Sequence, residues 1–414
     1  QLGIKSRLHV VPTVISELRL FLSDLLTAAG EGALLERAGE ISLFRFHKAR
    51  GAVGGLLDGS VMQNKAMRDI LLFDRAYKAV VIQSPRHASL GTVQLPAGKP
   101  GDVLIKVAYE GVCATDLHIL EGNLGYYKTG LAKYPVVPGH EFSGRVVRVG
   151  TNVSHLKVGD PVVVECIQTC GVCALCQQQN GIGCRERREV GVMGLNGGYS
   201  EFVVMPGRYV HKLPPEMDLR MAAISEPLAV VLKGLRRLRG VLASSDRSER
   251  CAVVGTGPVG HLCAKVLSLL GHQVTAYDRD TRRLAYFDGG PIVTASNNLE
   301  SLQDYNVIVE ATGDPDALHA TLGNSTPGAT ILLLGLPYAH REFNFESVVA
   351  YDKAIIGSVG SSGEDFEEAI RLLPKLDLAP FVERVLPLEQ FQIGWAETRE
   401  RRYLKVLLEV DPTC

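Results

Sequence analysis

The chain has 414 residues, enough for two or three domains with more than one hydrophobic core, so a peptide-sized scaffold is excluded. Hydrophobic residues make up 46% and charged residues 21%, a globular rather than a disordered composition. Lys plus Arg number 44 against 45 Asp plus Glu, a net charge of -1, which leaves no broad basic field for nucleic acid or an anionic membrane and favours a small-molecule partner.

Position 1 is Gln rather than Met, so residues 1–75 are expected to be the tail of an upstream domain, with an oligomer or partner docking segment and an uninformative extension as the alternatives. Residues 13–29 place Val14, Leu18, Phe21, Leu22, Leu25 and Leu26 at helical spacing after Pro12, so the N-terminal extension is expected to be partly helical. From Tyr77 the texture becomes β-rich and barrel-like, with short runs at 78–83, 103–107, 142–149 and 161–164 between Gly and Pro turns. Beyond Glu226 strand and helix alternate, with strands expected at 252–254, 273–277, 306–309 and 330–334 in a parallel sheet with crossover helices. The segment from Asp278 to Asn306 looks too short for a full strand and helix, so this sheet is expected to lack one unit. No run meets the roughly 18 apolar residues of a membrane span, since 251–271 is broken by Gly255, Gly257, Pro258, His261 and Lys265. The default location is the cytoplasm, a reducing compartment that suits free cysteines.

Cys251 to Gly260 reads as a strand entering G-x-G-x-x-G and an apolar helix, the fingerprint of a dinucleotide site. Gly255 permits the tight turn, Gly257 the approach of a pyrophosphate and Gly260 close helix–strand packing, while Pro258 and Val259 open the helix towards the phosphate charge. Asp278 ends the next strand about 20 residues on, where a carboxylate accepts both ribose hydroxyls and repels a 2′-phosphate, so NAD is expected over NADP. Arg279 beside it is a basic neighbour able to receive a 2′-phosphate.

Cys170, Cys173, Cys176 and Cys184 offer four thiolates in one loop, enough for a closed tetrahedral structural zinc; buried thiols or a redox switch are the alternatives. A second group is dispersed: Cys113, His140, Glu141 and Glu226. Singly, each also reads as an ordinary core or helix-start residue, but together they supply the sulfur, nitrogen and oxygen ligands of a catalytic zinc.

Taken in order, G-x-C-x-T-D-x-H from 111, G-H-E from 139, the four-cysteine loop, Gly197-Gly-Tyr-Ser-Glu-Phe202, Glu226-Pro-Leu, the nucleotide fingerprint and Val309-Glu-Ala-Thr-Gly313 form a specific set. With them the chain resembles the zinc-dependent medium-chain alcohol and polyol dehydrogenases, the family of sorbitol and threonine dehydrogenases, over roughly residues 77–412. The resemblance implies a GroES-like β-barrel catalytic domain over 76–225 and 386–414 and a Rossmann doubly wound parallel sheet over 226–385. It implies Cys113, His140 and Glu226 as catalytic zinc ligands, with Glu141 as an alternate or water-bridged one, and Asp116 as the carboxylate that orients His140. Glu at position 226 matches the polyol and threonine branch. Thr115 and His118 match the family's proton relay. The expectation is therefore an enzyme with two zinc ions per chain that passes a hydride from a secondary alcohol to NAD, as a homodimer or homotetramer. A zinc-independent enone or quinone reductase and a non-catalytic NAD-binding scaffold are the competing readings.

Overall fold

The computed structural model describes residues 76–96, 98–178, 180–240, 248–296, 298–336 and 341–414. The helix expected over 13–29 lies outside these residues. Among the described residues, Tyr77–Val93 and Gly98–Cys414 fall in one compact unit. Among the described residues no helix is long and apolar enough to cross a membrane.

In chain order the strands begin with β1 (Ala76–Ser84), β2 (His87–Gln94), β3 (Asp102–Gly111), β4 (Phe142–Val149) and β5 (Pro161–Val164). Then come β6 (Ile167–Gln168), β7 (Arg188–Val190), β8 (Gly194–Leu195), β9 (Phe202–Pro206) and β10 (Val210–Lys212). After a switch to alternating strand and helix follow β11 (Arg250–Val254), β12 (Gln273–Asp278), β13 (Val293–Ser296), β14 (Val307–Glu310), β15 (Thr330–Leu333) and β16 (Ala354–Gly357). The chain ends with β17 (Val385–Pro387) and β18 (Leu407–Glu409).

Strand β3 organises the β-rich part. It pairs antiparallel with β4, β9 and β18, in a sheet ordered β10-β5-β4-β3-β18-β17 with β9 off that path. One face of this curved sheet closes on Val103, Ile105, Val107, Phe142, Val146, Val162, Val164 and Met205, all buried. Each such side chain contributes roughly 1.5–3 kcal/mol when taken out of water, which is why alternate positions along these strands are apolar. Register shifts on either side of Ile105 to Val107 mark where β3 bends against β4.

The second sheet is wholly parallel and ordered β13-β12-β11-β14-β15-β16. Successive strands leave β11 in opposite directions, so a crevice forms at its carboxyl end, where open α/β sheets bind ligands. Here the expectation of a missing unit is corrected: six strands are present among the described residues. What is short is the traffic between strands. Only a one-turn helix, Thr281–Leu284, and a 3-10 turn separate β12 from β13, and only the 3-10 helix Leu299–Asp304 separates β13 from β14. A four-residue strand with such connections leaves no long periodic signature in sequence.

The helix Ser225–Arg239 joins the two sheets' cores. It buries Leu228, Ala229, Val231, Leu235 and Leu238, and it packs in one cluster with Ala108 of β3 and Val253 of β11. Pro227 is tolerated because the first turn has no intrahelical acceptor to lose, and Arg236, Arg237 and Arg239 sit at the negative end of the helix dipole.

Candidate active site

A cavity of about 680 Å³ opens at the carboxyl ends of the parallel strands. Its walls include Cys113, Thr115, His118 and Glu141 from the β-rich part, together with Gly255, Gly257, Pro258, Val259, Asp278 and Arg279 from the parallel sheet. The reacting groups and the nucleotide fingerprint thus share one cleft. His140, Asp116 and Glu226 stand behind its wall, all buried.

Cys113 caps the helix Ala114–Glu121, and the cap is reciprocal. Its side chain receives the backbone N–H of Asp116, while Asp116 Oδ2 accepts the Cys113 N–H at 2.9 Å. The T-D-x-H spacing therefore fixes the thiol, Thr115 and His118 on one short helix. Ligand atoms of Cys113, His140 and Glu141 all lie within 4.8 Å of one another. Glu226 lies outside that tight group, although its charge acts on His140. The observed trio is thus Cys113, His140 and Glu141, where the sequence reading placed Glu226 as third ligand and Glu141 as the alternate.

The electrostatics of this pocket ask for a cation. Burial opposes a charge on His140, yet Cys113, Asp116 and Glu226 around it hold its pKa well above the ordinary value. Burial, with Glu141 adding to it against His140 and Lys405, lifts the Glu226 carboxyl to about 7. Two facing buried atoms, His140 Nδ1 and Asp116 Oδ1, have no hydrogen-bond partner and are 3.9 Å apart. A soft and hard donor set with surplus negative charge fits zinc, and the carboxylate behind the imidazole fits the usual support of a metal-bound histidine.

Lys405 was invisible in the sequence. It is buried, donates to Val112 O at 3.2 Å and forms an ion pair with Glu141 Oε2. Despite desolvation, the charges of Glu141 and Cys113 raise its pKa, so it counters part of the acidic cluster.

The four-cysteine loop also fits a metal. Zn–S bonds of about 2.3 Å in a tetrahedron set the sulfurs about 3.8 Å apart. The observed separations are 3.8 Å for Cys170–Cys176, 3.4 Å for Cys173–Cys176 and 3.6 Å for Cys184–Cys170, and none of these cysteines is disulfide-bonded. A hydrogen bond from the Thr169 side chain, outweighing desolvation, draws the Cys176 thiol down to about 6, so it is ready to ligate as thiolate.

On the nucleotide side Gly255 has φ +90°, and a Cβ on Gly260 would overlap the Gly255 carbonyl. Only glycines allow this turn. Asp278 Oδ2 accepts from Thr256 N at 2.7 Å and Thr256 Oγ1 at 2.9 Å, and Oδ1 accepts from Asp280 N at 2.9 Å. Of about four carboxylate acceptor positions, three are thus occupied, which leaves room for one ribose hydroxyl rather than two. Arg279 is exposed and pairs with Asp314 at 3.5 Å. Arg283, missed in sequence, lies beside Gly257 in the same cleft with its buried Nε unpaired.

Tyr126 and Tyr127 are not among the residues lining this cleft: Tyr126 receives a hydrogen bond from Arg187 and Tyr127 packs on Tyr134. Of the 336–345 loop only Leu336 lines the cleft among the described residues.

Comparison with known proteins agrees with this geometry. Residues 99–215 match the family model for the alcohol dehydrogenase GroES-like domain, and residues 219–410 match that for the glucose dehydrogenase C-terminus. The chain is 30% identical over 365 residues to L-threonine 3-dehydrogenase of Bacillus subtilis, covering 84% of this chain and 99% of that protein. The chain belongs to the zinc-type medium-chain alcohol and polyol dehydrogenases. This dehydrogenase is also 29% identical over 358 residues to D-arabitol-phosphate dehydrogenase of Enterococcus avium, covering 82% of this chain and 99% of that one. The crystal structure of galactitol-1-phosphate dehydrogenase from Escherichia coli superposes with a TM-score of 0.70 at 25% identity, covering 80% of this chain and all of that one. The dehydrogenase is accordingly an oxidoreductase of CH–OH donors with a GroES-like part and a Rossmann part.

Proposed function

We propose that this dehydrogenase oxidises a secondary hydroxyl of a polyol, sugar, cyclitol or amino alcohol to a ketone, with NAD preferred over NADP and two zinc ions per chain. The observation that carries the reading is the convergence of Cys113, His140 and Glu141 on the wall of the cleft that holds the nucleotide fingerprint. When bound, zinc supplies a Lewis acid that lowers the pKa of a hydroxyl, and nicotinamide supplies the hydride acceptor.

The chain's own residues do the rest. Cys113, His140 and Glu141 hold the catalytic metal, and Cys170, Cys173, Cys176 and Cys184 hold the structural one. Thr115 Oγ1 lies 3.6 Å from Cys113 Sγ, so it would stand beside a hydroxyl held at that metal and would take its proton while passing its own on. His118 lines the same cavity and, because burial lowers its pKa, is neutral and able to take that proton onward. Glu226 adds negative charge behind His140. Asp278 selects the unphosphorylated ribose through its remaining acceptor position and by repulsion of a 2′-phosphate.

The direct test is NAD reduction by the zinc-replete protein against polyols, cyclitols, aldoses, amino alcohols and simple alcohols. One class turning over well above the rest with NAD supports the reading. Turnover confined to enones or quinones in the reverse direction, unaffected by zinc removal, would overturn it.

A further inference from the structure

Behind His140 runs a hydrogen-bond chain that the reaction described so far does not use. Asp116 is fully buried, and its Oδ2 takes two donors: the Cys113 N–H at 2.9 Å and the Tyr199 hydroxyl at 3.2 Å. Tyr199 Oη in turn accepts from the indole N–H of Trp395 at 2.9 Å. Both aromatic residues are buried, at 0% and 3% exposure, and Phe391 packs edge-on against Trp395 at 4.9 Å.

The indole nitrogen donates and never accepts, which fixes the direction of the whole chain. It occupies a lone pair on Tyr199 Oη, so the phenol's single proton goes to Asp116. With Oδ2 saturated, Oδ1 is the oxygen left for His140, and it faces His140 Nδ1 with no other partner for either atom. The separation of 3.9 Å is beyond a hydrogen bond, but an otherwise unpartnered carboxylate oxygen on that side favours the imidazole proton on Nδ1 and leaves the Nε2 lone pair for a metal. The loop carrying His140 is moulded on the same tyrosine. Gly139 has φ +99°, and a Cβ there would strike the Tyr199 ring.

We propose that Tyr199 and Trp395 are positioning residues for His140, acting through Asp116, an inference that rests on Cys113, His140 and Glu141 being the catalytic metal's ligands. The test compares wild type, Y199F, D116N and Y199F/D116N as holoenzymes whose catalytic metal has been exchanged for cobalt. The readouts are the visible cobalt band, metal release to a chelator, and kcat and KM separately. Y199F removes one oxygen and keeps the ring, so the barrel's packing is preserved. It is expected to shift the cobalt band, speed release from the catalytic site about tenfold and lower kcat more than KM, in line with the ~10–100-fold effect of groups that support metal ligands. Release from the four-cysteine site is expected to be unchanged. In the D116N background the added effect of Y199F is expected to fall below about twofold, because coupled residues are not additive. W395F, which removes the fixing donor along with part of the buried ring, is expected to move the band in the same direction. Y199F matching wild type in band and release, or acting equally with and without Asp116, overturns the proposal. A wild type that holds metal only at the four-cysteine site overturns the ligand reading itself, and is told apart by metal content before any variant is compared.

Discussion

His261 offers a sharp perturbation of stability. It follows the glycine fingerprint on the helix Pro258–Leu269, is fully buried, and neither ring nitrogen has a hydrogen-bond partner. Its ring stacks on Phe287 at 4.3 Å and meets Phe381 edge-on at 5.4 Å. Burial, aided by the nearby Lys265 charge, lowers its pKa to about 3. A cation–π gain over Phe287 of up to ~2 kcal/mol is too small to offset that desolvation. The sign follows from linkage. The unfolded histidine binds its proton near pH 6.5 and the folded one only near pH 3, so the stability present above pH 6.5 is lost progressively as pH falls towards 3. At about 1.36 kcal/mol per pH unit, His261 alone should withdraw about 2 kcal/mol between pH 6.5 and about pH 5. His261→Leu keeps an apolar side chain of similar size and abolishes this term. Urea unfolding followed by circular dichroism, at several pH values for both proteins, reads the difference, and acid effects on the metal ligands cancel because both proteins share them. The gap between variant and wild type should widen by about 2 kcal/mol over that window. Parallel pH profiles would refute the argument.

Other outcomes follow from the same geometry. Lys405→Met leaves the Glu141 carboxylate buried beside Glu110, Asp116 and Glu226, so the metal-free protein should lose about 3–5 kcal/mol of stability, with zinc restoring part of it; an unchanged urea midpoint without metal would contradict this. Asp278→Ser frees Thr256 and removes repulsion of a 2′-phosphate, so the NAD-to-NADP ratio of kcat/KM should fall at least about tenfold, or about 1.4 kcal/mol, and steady-state kinetics with both cofactors checks it. Cys176→Ser should release the four-cysteine metal first on chelation and raise proteolysis within 170–184, while the Cys113 site keeps its metal; loss of both metals together would refute independent sites.

What was legible in the sequence was local. The four cysteines, the G-x-G-x-x-G turn and the T-D-x-H helix each occupy one short segment, so spacing alone carries their chemistry. Six parallel strands were harder, because β13 and β16 are four residues long and β13 is flanked only by a one-turn helix and 3-10 turns. Lys405 and Glu141 are 264 positions apart, and no period links them; only the return of β18 to β3 brings the lysine beneath the metal-ligand pocket. Tyr199 stood inside a quoted motif, yet its hydroxyl's partners, Asp116 and Trp395, come from elements 83 and 196 residues away. Asp278 was read as waiting for ribose, whereas Thr256 and Asp280 already use most of its acceptor capacity, a competition that exists only once the loop is folded.

The most direct test of the central claim is metal content measured alongside turnover for wild type and Cys113→Ser. Two zinc ions per wild-type chain, one per Cys113→Ser chain, and alcohol-dependent NAD reduction lost in the variant with its fold intact are the expected results. Turnover that survives in Cys113→Ser, or one zinc in both proteins, would contradict the assignment of Cys113, His140 and Glu141 as the catalytic metal site.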